Sequence, residues 1–431
     1  MDVSAAYVFS PDAKVIINQD QTVVVNRFSG LWMKIPTQCY EILVTAEERH
    51  YTLYELYSML HDEEDRQYMK TVIENLYSIK LLVDCHHAKS THNKISKVYF
   101  LLTHRCNLRC RHCCMDSGRV TDHDYLTFEN IIHGLKEIAS LEPKTVVFSG
   151  GEPLLRPEIF DIADYAVEKF NLNLHLITNG TLITEENVNN ICKYFKAVSI
   201  SIDGIDEESC SIIRGNGTYN KVITAINLLK KYGMTTISLS LVEIVRNQHY
   251  ISEFYTLCKT LGVSPAVRVF AEDGRGTENY NKLAEEFKEY YKRYPINREY
   301  KAPNSTQMYA SGERIKACNC LAAIDNISIN FDGDIFPCNL LCDKKYKIGN
   351  IKDTTLHEVL LTNQLLNTEA YDNLKNIQPD AHPECKSCKV NLFCHTCPYT
   401  AEFLWSHKDK FQAYCLARKK PLYQLIWNED I

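Results

Sequence analysis

The sequence has no long apolar run and no surplus of basic charge. Nowhere in its 431 residues do about 18 apolar side chains follow one another, which excludes a membrane-spanning helix. Residues 1–15 show neither a basic start nor an apolar stretch of signal-peptide length, so a cytoplasmic protein with no membrane partner is expected. Lys and Arg number 48 against 54 Asp and Glu, a net charge of −6 that gives no reason to expect a nucleic-acid partner. Hydrophobic residues at 45% and charged residues at 24% suit a globular protein able to bury real cores, and the length suggests two or three domains.

Cysteine, by contrast, is plentiful, with 18 in the chain. So many thiols in a reducing compartment are poor candidates for disulfides, and the clustered ones read as metal ligands or reactive groups. The densest group is "CNLRCRHC", where Cys106, Cys110 and Cys113 form a C-x3-C-x2-C run just after the apolar "KVYFLLT". Zinc and ordinary iron-sulfur sites take four ligands, so three are unusual. A structural zinc is the plain alternative.

The chain divides into three. Residues 1–93 open with strand-like runs at 14–18, 22–26 and 31–35, with polar "QDQ" as a hairpin turn between the first two. Thr52 and Glu55 then make a capping box, and Met69, Val72, Ile73 and Leu76 share one helical face. Three strands and about three helices describe a small winged-helix-like unit. Up to residue 90 it holds 8 basic against 13 acidic side chains, a balance that argues against nucleic acid as its ligand.

Residues 94–304 alternate strands and helices. Strands are expected at 98–103, 145–148, 174–177, 198–202, 237–242 and 267–270, and Phe128, Ile131, Ile132, Leu135 and Ile138 mark one helical face between the first two. Such alternation implies an α/β parallel sheet, either open and doubly wound or an incomplete barrel, with the active site at the carboxyl ends of the strands. The unusual residues fall there. The cysteine run follows the first strand, "SGGEP" at 149–153 the second, "TNG" at 178–180 the third, and Asp203-Gly204 the fourth.

That combination resembles the radical S-adenosylmethionine (radical SAM) superfamily across the whole middle segment. The resemblance implies a partial (β/α)6 TIM barrel, and it explains the three cysteines. A 4Fe-4S cube held by Cys106, Cys110 and Cys113 keeps one iron open for the amino and carboxylate groups of S-adenosylmethionine, whose reductive cleavage yields a 5'-deoxyadenosyl radical. Gly150 and Gly151 would let the backbone approach the methionine moiety, and Glu152 would face its ammonium group. Ser201 and Asp203 lie where the family contacts the ribose, Arg214 suits the methionine carboxylate, and His112 stands where the family has an aromatic near the adenine. For Asp203 and Arg214 an ordinary ion pair is the alternative, and for Asn179 a simple turn.

Residues 305–431 contain nine cysteines. Cys320, Gly333 and Cys338 form C-x12-G-x4-C, Cys385, Cys388, Cys394 and Cys397 form C-x2-C-x5-C-x2-C, and Cys415 follows. A double zinc site is one reading. After a radical SAM core, the layout and the "KIGNI" at 347–351 resemble a SPASM domain, which implies two auxiliary 4Fe-4S clusters and three in all. The family's usual final spacing is x3, where this chain has x2 between Cys394 and Cys397. By resemblance, Cys320, Cys338 and Cys397 would hold the first auxiliary cluster, with Cys318 or Cys342 as a fourth ligand or an iron left open to a substrate thiolate. Cys385, Cys388, Cys394 and Cys415 would hold the second.

Ahead of such a core, the winged-helix-like unit resembles the recognition element of maturases of ribosomally made peptides, which takes up a precursor's leader as an added strand. The resemblance implies a peptide maturase installing a crosslink, above all a cysteine thioether, and served by a flavodoxin- or ferredoxin-like electron donor. The alternatives are a carbon-carbon crosslink, oxidation of a Cys or Ser to formylglycine, and a non-catalytic metal-binding scaffold. Formylglycine formers carry an Asp base where Asn339 stands here, and an amide cannot act as that base.

Overall fold

The computed structural model describes residues 1–85, 95–245, 248–292, 315, 317, 320–361, 368–394 and 397–429, and Cys318 lies outside them. The chain forms two compact units, one of residues 1–93, 303–321 and 373–431, the other of residues 94–302 and 322–372. The cysteine-rich segment from 305 onward is therefore shared between them.

In the first unit, strands β1 (Tyr7–Phe9), β2 (Ala13–Asn18), β3 (Gln21–Asn26) and β4 (Trp32–Pro36) precede helices α1 (Thr37–Glu48), α2 (Leu53–Met59) and α3 (Glu63–Ser78), and β5 (Leu82–Asp84) closes the run. Strands β2, β3 and β4 make an antiparallel sheet in that order. Asn18 pairs with Gln21, leaving Gln19 and Asp20 as a two-residue turn in which Gln19 takes a φ of 53°. Side-chain alternation along β3 divides its valines. Val24 joins the core of the three helices, with Leu43, Met69, Val72, Ile73 and Leu76. Val23 and Val25 face the other way, onto Leu392, Phe393, Leu422, Ile426 and Trp427. The capping box stands as expected, with Glu55 N donating to Thr52 Oγ1 and Thr52 N to Glu55 Oε2. The pairing of β1 with β5 was not expected, because three-residue strands carry no usable periodicity.

The second unit runs β6 (Lys97–Thr103), α4 (Phe128–Ala139), β7 (Thr145–Gly150), α5 (Ile159–Phe170), β8 (Leu174–Thr178), α6 (Val188–Tyr194), β9 (Phe195–Ser201), α7 (Glu207–Arg214), α8 (Thr218–Lys231), β10 (Ile237–Glu243), α9 (Gln248–Thr260), β11 (Ser264–Val269) and α10 (Arg275–Lys292). Strands β6 to β11 pair parallel, each beside its neighbour in sequence, and helices alternate with them. This is the partial (β/α)6 barrel. Ile131, Leu135 and Ile138 of α4 are fully buried against the sheet. The last parallel strand begins at Ser264, not at 267, and includes Pro265. It can do so because β11 is the sheet's edge, where the missing N–H of proline need not cost a rung.

The hairpin expected around Asp332-Gly333 is present, formed by β12 (Asn326–Ile329) and β13 (Asp334–Phe336), with Gly333 at a φ of 94°. It does not stand apart from the core. β12 pairs parallel with β6, and β13 then β14 (Gly349–Asn350) continue the same nine-stranded sheet.

Candidate metal and cofactor centre

The loop leaving β6 carries Cys106, Cys110 and Cys113, and its own backbone closes it. Gly118 N donates to His104 O at 2.8 Å and Cys106 N to Gly118 O at 3.2 Å. Arg275, the first residue of α10, braces the far side, with Nε 3.0 Å from Cys110 O and Nη1 3.0 Å from Ser117 O. Each of the three sulfurs receives an N–H donor: Leu108 N at 3.4 Å from Cys106 Sγ, Arg214 Nη1 at 3.7 Å from Cys110 Sγ, and Ser117 N at 3.5 Å from Cys113 Sγ. Such donors favour the thiolate form that a metal needs. Burial acts the other way, pushing the Cys106 thiol up to about 11 and raising Cys110 as well, so a metal has to displace these protons when it binds. Among the described residues, no three candidate ligands converge as they would on a single metal ion. A four-iron cube makes a different demand, one thiolate at each of three corners, and three donor-backed thiols on one loop suit it.

Gly150 and Gly151 are dictated by the crossing of two backbones. A Cβ on Gly150, at a φ of 136°, would collide with Thr103 O, and one on Gly151 with Arg105 O. The approach is sealed by Gly151 N donating to Thr103 O and Glu152 N to Arg105 O, both at 2.8 Å. Glu152 itself is fully buried. Its carboxylate accepts from Asn179 N at 2.7 Å, Thr178 Oγ1 at 2.8 Å and Leu154 N at 3.1 Å. Burial lifts its pKa to about 7 although these donors pull it down. A bound cation would therefore be welcome beside it. Asn179 is more than a turn residue, because its Nδ2 donates to Asn107 Oδ1 at 2.8 Å and reaches Cys106 Sγ at 3.9 Å, tying the loop after β8 to the cysteine loop.

Asp203, beyond the end of β9, gathers the third group. It accepts from His112 Nε2 at 2.6 Å, Arg214 Nε at 2.7 Å and Nη2 at 2.5 Å, and Val242 N at 2.7 Å. Burial would raise its pKa, but Arg214 and His112 outweigh burial and hold the carboxyl well below the usual range. Burial likewise opposes the charge of Arg214, yet Asp203 holds its pKa above the ordinary value. The ion pair foreseen as the alternative for Asp203 and Arg214 is thus present, and its guanidinium also reaches the Cys110 sulfur. His112 Nδ1 is buried and has no hydrogen-bond partner among the described residues. An unsatisfied buried nitrogen costs about 1–3 kcal/mol, so a bound group offering it a partner is favoured there. Ser201 ends β9 next to this cluster.

Four thiols gather in the first unit. After burial, the causes that raise Cys385 include Cys388 and Cys415, and those that push Cys394 up to about 12 include Cys415, Cys388 and Cys385. Cys320 and Cys397 belong to the same unit, whereas Cys338 and Cys342 belong to the other. Burial, then the neighbouring Cys338 and Cys114, pushes Cys342 up to about 12, and its thiol lies 3.7 Å from Cys338 O.

Sequence reasoning missed Arg275 and Asn107, and it gave Thr178 no role beyond its place in "TNG". Arg275 is 162 positions from Cys113 and forms no motif with it, so nothing but the fold could reveal its role. Thr178 and Asn107, by contrast, adjoin Asn179 and Cys106, and the presence of polar residues beside the motif positions was a signal available to be used.

Fold and site together define a partial (β/α)6 barrel with three donor-backed thiols on the loop that follows its first strand. Residues 100–258 match the radical SAM superfamily and residues 320–389 match SPASM, an iron-sulfur cluster-binding domain. The chain belongs to the radical SAM superfamily and carries a SPASM domain. Among curated relatives, it is 27% identical to the AdoMet-dependent heme synthase of Methanosarcina barkeri, over 74% of this chain and 95% of that protein. It is 29% identical to the antilisterial bacteriocin subtilosin biosynthesis protein AlbA of Bacillus subtilis, over 58% of this chain and 56% of that protein. Among solved structures, SuiB of Streptococcus suis bound to S-adenosylmethionine superposes with a TM-score of 0.53, covering 93% of this chain and 97% of SuiB at 16% identity. SuiB bound to its precursor peptide SuiA gives a TM-score of 0.52 at 15% identity. No described helix is long and apolar enough to cross a membrane.

Proposed function

We propose that the chain is a peptide maturase, which abstracts hydrogen from a ribosomally made precursor and installs a crosslink, a cysteine thioether in the favoured case. The observation that carries the peptide reading is the small three-stranded sheet with its helices, joined in one chain to a radical SAM core and a SPASM domain. Likeness of fold over 93% of the chain to SuiB, a protein also solved with a precursor peptide, supports it. The heme synthase match leaves about a quarter of this chain unaccounted for while covering nearly all of that relative. Residues beyond a shared core are what a peptide-recognition unit requires.

In this reading, residues 1–93 form the leader-recognition domain, 94–304 the radical core and 305–431 the SPASM domain. Cys106, Cys110 and Cys113 hold the radical SAM cluster; Cys385, Cys388, Cys394 and Cys415 hold one auxiliary cluster. Cys320, Cys338 and Cys397 hold the other, with Cys318 or Cys342 as its fourth ligand. When bound, cluster and S-adenosylmethionine supply a one-electron cleavage that yields a 5'-deoxyadenosyl radical. The chain's own part is to bind and orient. Glu152 receives an ammonium group with its buried carboxylate, Arg214 a carboxylate, and Ser201, Asp203 and His112 the nucleoside, while Gly150, Gly151 and Asn179 keep the loops in register. A flavodoxin- or ferredoxin-like donor provides the electron. Asn339 disfavours formylglycine formation, which leaves the carbon-carbon crosslink as the second product class.

The test is an iron and acid-labile sulfide count on anaerobically reconstituted protein, beside a variant with Cys106, Cys110 and Cys113 all replaced by Ala. About twelve irons falling to about eight is expected, at four irons per cube. Zinc in place of iron, or about four irons lost completely, would sink the cluster assignment.

A further inference from the structure

Strands β9 and β10 depart from the usual composition of a covered parallel sheet, whose strands read as near-continuous apolar runs. Here every second residue is serine, in "VSIS" at 198–201 and "SLSL" at 238–241. The register puts the serines on one face, since Ser238 pairs with Ser199 and Ser240 with Ser201. The residues between them, Val198, Ile200, Leu239 and Leu241, are buried in the core that the helices share. The serines therefore line the inner face of the partial barrel.

β11 adds a charge to that face. Arg268 pairs with Val242, two positions beyond Ser240, and so continues the same row. Its Nε donates to Ser240 Oγ at 2.9 Å, and Ser240 is itself buried. That bond draws the side chain toward β10, yet the residue stays exposed. Its two terminal nitrogens meet no hydrogen-bond partner and no carboxylate among the described residues.

Position along the barrel ties this guanidinium to the cofactor centre. Val242, beside it, donates its amide to Asp203 Oδ1 at 2.7 Å, so Arg268 stands level with Asp203 at the carboxyl end of the sheet. Two strand spacings, about 10 Å, separate them. The cofactor's own carboxylate has Arg214, whose guanidinium Asp203 holds. A second guanidinium at that distance, with no counter-ion, is available to a different anion.

We propose that Arg268 forms a subsite for a carboxylate of the substrate, with Ser240 as the positioning residue that aims it. A guanidinium anchored through Nε presents its terminal nitrogens as a two-pronged donor matched to the two oxygens of a carboxylate. The small serines deeper in the same row leave the inner face open and hydrophilic for the chain that carries the group. An acidic side chain and a free carboxyl terminus offer the same chemistry. The inference deepens the maturase reading and rests on it for the ligand's being a peptide.

The experiment is a ligand-observed NMR titration of the reconstituted whole protein with three short peptides: acetylated and amidated Gly-Ala-Glu-Ala-Gly, the same peptide with Gln for Glu, and the Gln peptide with a free carboxyl terminus. One of the two carboxylate peptides is expected to bind about tenfold or more tightly than the neutral one, and which of them does so assigns the group to a side chain or to a chain end. Rising salt weakens that preference. In Arg268→Gln the ratio should fall to about one. Arg268→Lys, which keeps the charge without the fork, should retain part of it, and Ser240→Ala should lower it several-fold at unchanged iron content. Equal or undetectable binding of all three peptides, or a preference that survives Arg268→Gln, would overturn the proposal. So would a parallel loss of S-adenosylmethionine affinity in Arg268→Gln, which would give the guanidinium to the cofactor. If Arg268→Gln does not accumulate as folded protein, Arg268→Lys and Ser240→Ala decide, and a ratio unchanged in both is equally fatal. No readout involves turnover. A precursor of unchanged mass with the carboxylate preference intact would end the maturase reading and keep the subsite, and a crosslinked precursor with no such preference would do the reverse.

Discussion

Replacing Asp203 by Asn tests the arrangement that organises the cofactor centre. The carboxyl group is 1% exposed and receives donors from Arg214, His112 and the Val242 amide. Asn keeps the shape but deletes the charge, leaving a guanidinium whose side chain is 9% exposed without its counter-ion. Removing one partner of a buried ion pair costs about 3–5 kcal/mol, because the other charge stays behind uncompensated. Arg214→Met removes the second charge. The double variant should therefore be more stable than the sum of the two single losses implies, by about 2 kcal/mol. The loss also carries a sign in pH. Asp203 is held below the usual carboxylate range, so its contribution is complete above the unfolded carboxyl pKa of about 4 and disappears as pH falls below that. Urea unfolding of anaerobic protein gives the energies. Hydrogen exchange of the peptide containing Val242, whose amide Asp203 Oδ1 holds at 2.7 Å, localises them. A cost below about 1 kcal/mol for Asp203→Asn, or strict additivity in the double variant, would refute the reasoning.

Three further outcomes follow from the same site. Burial raises Glu152 to about 7, so its contribution to stability is complete below about pH 4.3 and is lost as pH rises through 7, roughly 3 kcal/mol in all; a melting temperature that falls over this range in the native chain but not in Glu152→Gln is expected, and equal slopes would count against it. Gly151→Ala drives a methyl group into the Arg105 and His104 carbonyls and should cost about 2–4 kcal/mol together with the iron of the β6 loop, read by melting and iron count; normal loading would contradict it. Cys415→Ala should remove about four irons while S-adenosylmethionine cleavage persists, and an unchanged iron count would exclude Cys415 as a ligand.

Much of the barrel was legible because its strands and helices announce themselves by period. Val98, Phe100, Leu101 and Leu102 of the run "KVYFLLT" and the face of Ile131, Leu135 and Ile138 are buried as their patterns require. The motifs were legible for a different reason: each sits on a loop directly following a strand, so sequence neighbours are also neighbours in space. What escaped was non-local. The parallel pairing of β12 with β6 joins residues more than two hundred positions apart, and no periodicity encodes a partner. The bond from the Asn179 amide to Glu152 depends on two adjacent strand ends, and the brace from Arg275 on a helix arriving from the far end of the barrel. The ion pair of Asp203 with Arg214 was foreseen as a possibility, but its third member, His112, was read as a neighbour of the adenine and not as a partner of Asp203.

The sheet of β2, β3 and β4 has one face packed on α1, α2 and α3, and the other on residues that come last in the chain, among them Leu422, Ile426 and Trp427. During synthesis, then, these strands emerge about 400 residues before the side chains that cover their second face. Val23 and Val25 stay open to solvent or to a chaperone throughout that interval, and the helix Lys408–Trp427 acts as the clasp that ends it. A lesion in the cysteine-rich segment would accordingly be felt some 400 residues away, as a sheet of β2, β3 and β4 that never finishes folding.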